Sequence, residues 1–261
     1  MAEDCREALR RRSSACRAAL ARDWSAGIIQ VSMMGFQAQA SVGSQVGLMQ
    51  SIYLVQFGAK AEVLSLYLLA ALPVNLAASC FAVAVMSRVP IWRCRRWFSL
   101  GCFASLAASL ALTFPPGVSE DPEVQAGVES HYFGALCLVA AVGAKFRDYP
   151  NGLARVCLLQ DTESRASESA YGKIVDVMVG NAIIGALMLS MLANPTAIVR
   201  LALVAFQLAS TAVSWRGARI LQRLQPGAGD ARPAAGLCQL ACPKRRASRH
   251  LDGRVRVCVC V

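Results

Sequence analysis

"VLSLYLLAALPVNLAASCFAVAVMS", residues 63–87, contains no Asp, Glu, Lys or Arg. The hydrocarbon core of a bilayer is about 30 Å thick, and a helix rising 1.5 Å per residue crosses it with roughly 20 apolar residues. This run is long enough. Three more charge-free runs cover 24–59, 97–119 and 177–199, and two shorter ones cover 130–144 and 201–215. The chain is 56% hydrophobic and 16% charged, against about 25% charged in soluble domains. Such a pattern predicts an all-α, polytopic bundle of transmembrane helices.

Six spans are expected, near 30–57, 63–87, 97–115, 131–153, 174–193 and 196–215. They form a transmembrane domain over 24–215. Charge sets their direction, because short positively charged loops stay cytoplasmic. "RVPIWRCRR" (88–96) carries four Arg and no acid, whereas "PGVSEDPEVQAGVES" (116–130) carries four acids and no base. The two loops flank one span and so lie on opposite sides. Counting outward puts the Arg-rich N-terminus and "WRGARILQR" on the side of the basic loop, with both termini cytoplasmic. The chain is thus expected in a membrane, though the sequence does not say which one.

Residues 1–23 contain six Arg and four acids without a short apolar core, so they do not read as a signal peptide. They are either an amphipathic helix on the membrane surface or a cytosolic tail. The first run is rich in Gly, Gln and Ser. These residues suit close helix approach and interhelical hydrogen bonds, so "GFQAQASVGSQVGLMQ" (35–50) either lines a polar interior or satisfies its own amides. Residues 216–261 carry ten basic and two acidic side chains. They read as a mostly disordered tail that adsorbs to anionic lipid. The basic excess is therefore assigned to lipid, not to nucleic acid.

Cysteines 80, 102, 137 and 157 sit among apolar residues and read as buried small hydrophobes. The tail ends Cys258-Val-Cys-Val, an outline of a prenylation box, and palmitoylation of tail cysteines is the alternative. P-loop, dinucleotide-binding, nucleophile-elbow and zinc-protease motifs are all missing. With His131 and His250 as the only histidines, the expectation is a protein without a catalytic site, cofactor or metal.

Charge returns in "KFRDYPNGLARVCLLQDTESRASESAYGK" (145–173). Asp148 follows a long apolar run, and a carboxylate in hydrocarbon is costly unless paired or hydrated, so such residues face cavities. Lys145 and Arg147 can snorkel to the interface. Pro150 and Gly152 favour a break just after Asp148.

Asp148-x-Pro150, Asp161-x-x-x-Arg165 and Tyr171-x-Lys173 together resemble the fourth span, cytoplasmic loop and fifth-span entry of melibiose-carrier-like sugar–cation symporters of the major facilitator superfamily. "SRVPIWRCRRW" (87–97) is similar to that superfamily's Arg-rich link between spans two and three. The resemblance implies a substrate- or ion-path role for Asp148, with Lys173 or Arg155 as its charge partner, and a conformational latch at Asp161 and Arg165. Asn75 and Ser79 stand where the family carries coupling acids. Six spans are half of the family's twelve, which implies a homodimer or a second half-transporter. A looser resemblance, carried by residues 51–79 and by "YPNGLARVCLLQ" (149–160), is to XK-type membrane proteins, which include lipid scramblases. The functional expectation is therefore a solute transporter, with a scramblase-like or a non-transporting structural or regulatory membrane protein as alternatives.

Overall fold

The structure, a computed structural model, describes residues 17–41, 46–117 and 121–224. Residues 1–16 of the N-terminal segment and 225–261 of the tail, with its cysteines and expected disorder, lie outside them. Among the described residues the chain is an all-α bundle without strands. The helices are α1 (17–25), α2 (Ile28–Ala40), α3 (Val46–Gln56), α4 (Ala61–Met86), α5 (Cys94–Thr113), α6 (Pro122–Leu158), α7 (Thr162–Val175), α8 (Gly185–Ala193) and α9 (Ala197–Gly217). A π-helix, Asp176–Ile184, joins α7 to α8, and short 3-10 turns precede α5 and follow α9.

Local chemistry sets several of these boundaries. Asp121 caps α6 by accepting from the Glu123 N–H at 2.9 Å, with Pro122 at the first helical position, a combination that favours helix starts. Thr196 caps α9 across the short turn from α8. Gly58, at φ +65°, turns the chain out of α3 as few residues other than glycine can. Four helical stretches are long and apolar enough to cross a bilayer, namely Ala61–Met86, Ile91–Thr113, Pro122–Leu158 and Ala197–Leu224. The chain is an integral membrane protein. α4 shows why most plainly, because almost none of it is buried and Leu66, Leu69, Leu72 and Leu76 all point outward. Only a lipid or protein surround would accept that face.

The run expected as one span over 30–57 is instead two helices, α2 and α3, interrupted after Ala40. The run over 174–193 is the end of α7, the π-helix and α8. Pro150 does not break α6, which continues to Leu158. The helical body also extends past the expected boundary at 215. Ala218, Ile220 and Leu221 are buried and pack with Ile28 and Leu159, so residues 216–224 belong to the bundle and not to the tail. Cys80 is exposed on the outer face of α4, whereas Cys94, which apolar context did not single out, is buried with Cys102.

Three apolar clusters hold the bundle. One joins α3, α6, α8 and α9 around Tyr53, Phe133 and Met188. A second joins α2, α5 and the turn after α9. The third joins the end of α4 to α5 and α6 through Met86, Cys94 and Phe146. Between α2 and α9 the contact is polar. Buried Gln37 donates to the Cys102 carbonyl at 2.9 Å and to Thr211 Oγ1 at 2.8 Å, and Gln207 donates to the Ala40 carbonyl at 2.6 Å. Gln37 of the first run thus uses its amide N–H groups in interhelical bonds, which apolar surroundings favour.

Candidate functional site

Gly101 and Gly143 let α5 and α6 approach backbone to backbone, and this contact places Arg147. A Cβ on Gly101 would lie 2.6 Å from the Arg147 nitrogen and 2.6 Å from the Gly143 carbonyl oxygen. Arg147 is therefore held inside the bundle and does not snorkel. Its side chain is 6% exposed, and its Nε donates to Asp148 Oδ1 at 3.0 Å, while the Asp148 side chain is 53% exposed. Successive residues on a helix point about 100° apart, so the pair reaches around α6 from a closed side to an open one.

Two cavities follow one another along one face of α6. The first, of about 270 Å³, lies among α2, α4, α5 and α6, and receives Arg147, Asn75, Ser105 and Ser109. The hydroxyls of Ser105 and Ser109 are buried without a hydrogen-bond partner among the described residues, so this cavity presents donors that none of them uses. The second, of about 280 Å³, lies among α2, α6 and α7, and receives Asp148, Asn151, Arg155, Glu168, Gln39 and Ser32. Ala38 on α2 is wall to both cavities. Arg147 lines the first cavity and its ion-pair partner Asp148 lines the second.

The residues expected from sequence are distributed as follows. Asp148 and Arg155 share the second cavity, but Arg155 pairs with Glu168, its Nη2 2.8 Å from Oε1, and the partner of Asp148 is Arg147. Lys173 is exposed on α7 and does not line the cavity. Asn75 lines the first cavity, and Ser79 donates to the Asn75 carbonyl at 2.7 Å, one turn back on the same helix. Asp161 and Arg165 share a backbone hydrogen bond, Arg165 N–H to the Asp161 carbonyl at 3.2 Å, but their side chains do not pair. Asp161 caps α7 by accepting from the Ser164 N–H at 2.8 Å, and Arg165 donates to the Leu159 carbonyl at the end of α6, also at 2.8 Å.

That cap has a pH signature. The Ser164 backbone hydrogen bond holds the Asp161 carboxyl below its ordinary value. A depressed carboxylate stabilises the fold above its unfolded pKa, and the contribution is lost as pH falls through the folded value. Asp161→Ala will fray the first turn of α7 at neutral pH, read as faster amide exchange at Ser164. The difference from wild type will vanish in acid well below the ordinary carboxylate range. A difference that persists there would show that the carboxylate is not what caps the helix.

The N-terminal residues dock onto this same region. Tyr171 donates to Asp23 Oδ2 at 3.0 Å, and Arg22 lies 3.2 Å from Glu163. Buried Asp23 is thus held by α7. Sequence reasoning missed Arg147, Ser105, Ser109 and Glu168. The available signal was the small-residue spacing Gly101, Ser105, Ser109 on α5, which marks a close helix contact and so a neighbour without room to escape. Among the described residues no group of His, Cys, Asp or Glu is gathered that would hold a metal ion.

No family model matches the chain. No curated protein and no solved structure matches it either.

Proposed function

We propose that this integral membrane protein moves a small polar solute, with the Arg147–Asp148 pair as the gate between two binding chambers. The observation that carries the reading is a pair of cavities that follow one another along one face of α6, Arg147 lining the first and its ion-pair partner Asp148 lining the second. Buried ion pairs are costly to assemble and are tolerated where they switch partners. A solute that takes over the hydrogen bonds of Arg147 in the first cavity would release Asp148 to the second, and the reverse step would reset the pair. In this reading the chain has six spans with both termini cytoplasmic, resembles half of a major-facilitator transporter, and acts as a homodimer or with a second half-transporter.

The test is uptake into vesicles reconstituted with the full chain, over a panel of labelled sugars, amino acids and organic ions. Wild type should accumulate at least one class. Asp148→Asn keeps an acceptor for Arg147 but removes the charge, and uptake should fall at least tenfold. The proposal is overturned if neither protein takes up any solute, or if the variant equals wild type.

A second reading, lipid scrambling, is favoured by the exposure of the second cavity, where the Asp148 and Arg155 side chains are each about half exposed. A headgroup can follow such charges along the outside of a bundle. Rapid loss of leaflet asymmetry of a fluorescent lipid in the same vesicles, without solute uptake, would select it.

A further inference from the structure

Three arginines without an ion pair among the described residues gather in one place. The 3-10 turn Ile91–Arg93, the start of α5 and the turn after α9 pack together, and between them lies a concavity of about 800 Å³. Arg93, Arg95 and Arg96 line it with Trp92 and Trp215, and Ser99 and Gln222 add polar groups. Among the described residues no acidic side chain lines it. Among the described residues the ion pairs are made by Arg22, Arg147 and Arg155 instead.

The arginines are held open by aromatic faces. The Arg95 guanidinium lies 5.3 Å from the centroid of Trp215, Arg219 lies 5.7 Å from the same ring, and Arg93 lies 4.7 Å from that of Trp92. Cation–π contacts of this kind fix a guanidinium without neutralising it. The first turn of α5 opens at the same place with no side-chain cap, adding the positive end of a helix dipole. Several like charges held together without counter-charge repel one another, and a polyanion relieves that repulsion. Trp residues at the end of membrane helices mark headgroup level, and the Arg excess marks the leaflet richest in anionic lipid.

We propose that this concavity binds the multiply phosphorylated headgroup of a phosphoinositide-class lipid. Guanidinium forks match phosphate oxygens in pairs, and the two indoles sit where the lipid's glycerol and upper chain would pass. The site is separate from the chambers at Arg147 and does not rest on the transport reading.

The test is binding of the full chain in mild detergent to short-chain phosphatidylinositol bisphosphate, with phosphatidylserine and soluble inositol trisphosphate as comparison arms. Arg95→Gln with Arg96→Gln should raise the Kd for the bisphosphate lipid about twenty-five-fold, roughly a factor of five for each arginine near an anionic surface. Neutralising Lys244, Arg245 and Arg246 in the tail should change it little. Arg95→Lys with Arg96→Lys should fall between, since lysine keeps the charge but not the fork. Unchanged affinity in the Gln pair, or loss only in the tail variant, overturns the proposal. Equal binding of inositol trisphosphate would overturn the lipid source in favour of a free polyphosphate. Phosphatidylserine binding as tight as the bisphosphate lipid would reduce the site to general surface adsorption and overturn it as well. Arg95 and Arg96 are at least partly exposed, so their variants will fold, and an unchanged thermal midpoint checks this.

Discussion

Replacing Gly101 with leucine will drive α5 and α6 apart, and little folded protein will survive extraction into mild detergent. The cause is backbone meeting backbone. A Cβ at Gly101 would fall 2.6 Å from the Arg147 nitrogen, 2.6 Å from the Gly143 oxygen and 2.9 Å from the Phe146 carbonyl carbon. None of these atoms belongs to a side chain that can rotate away, so the helices themselves must move. Overpacking typically costs about 1–3 kcal/mol, and leucine adds three carbons beyond the one that already clashes. Alanine should fall within that range and leucine above it. The control is Gly152→Leu on the partner helix α6, where a Cβ meets nothing within 4 Å. Thermal unfolding followed by size-exclusion of the remaining monodisperse protein reads the difference. A Gly101→Leu protein as stable as wild type would mean that α5 and α6 do not meet at this contact.

Breaking the ion pair from its two ends should give unequal losses, with the larger one at the more exposed residue. Asp148→Leu leaves the guanidinium of Arg147, 6% exposed, without its counter-charge, and an unpaired buried charge is the expensive product of breaking such a pair. Arg147→Leu leaves a carboxylate that is 53% exposed and open to hydration, which screening makes cheap. We expect a loss of about 2–3 kcal/mol for the first and under about 1 kcal/mol for the second. Chemical unfolding of each variant, with the double variant Arg147→Leu/Asp148→Leu closing the cycle, measures both. If Arg147→Leu proves the more damaging, Arg147 contributes through packing against α5 more than through its charge. Uptake should fail in all three variants, which separates the role of the pair in transport from its role in stability.

The long apolar runs were legible residue by residue. The expected spans 63–87, 97–115 and 196–215 became Ala61–Met86, Cys94–Thr113 and Ala197–Gly217, close at both ends. A membrane leaves a backbone no partner but itself, so an uninterrupted apolar run of sufficient length has one solution. The runs that failed to give single helices are those with alternatives. Residues 24–59 are rich in Gly, Ser and Gln, and their amides found partners on α8 and α9, with Gln56 donating to the Met191 and Leu192 carbonyls at the end of α8. With those bonds available, continuous helix was not required there. The Pro150 reading erred for a related reason. A proline removes one N–H, but packing held the rest of the turn, and Pro150 and Asn151 are both buried in the continuous helix.

Charge on the loops was likewise readable. The basic segments around 88–96 and 216–224 were expected on one side, and they meet in one concavity lined by Arg93, Arg95, Arg96 and Gln222. What they form together was not readable, since the two segments are more than a hundred residues apart and only the packing of α5 against α9 brings Arg95 over Trp215.

By itself the sequence determined that the chain is helical and membrane-embedded, and which runs form its long apolar helices. Each follows from the free energy of moving residues between water and hydrocarbon, a property of local composition. Which charge Asp148 meets, which hydroxyls line the cavity beside it, and where α2 breaks were decided only in three dimensions. Arg147 and Lys173 are equally charged on paper. The close approach of Gly101 and Gly143 buries one of them and leaves the other outside.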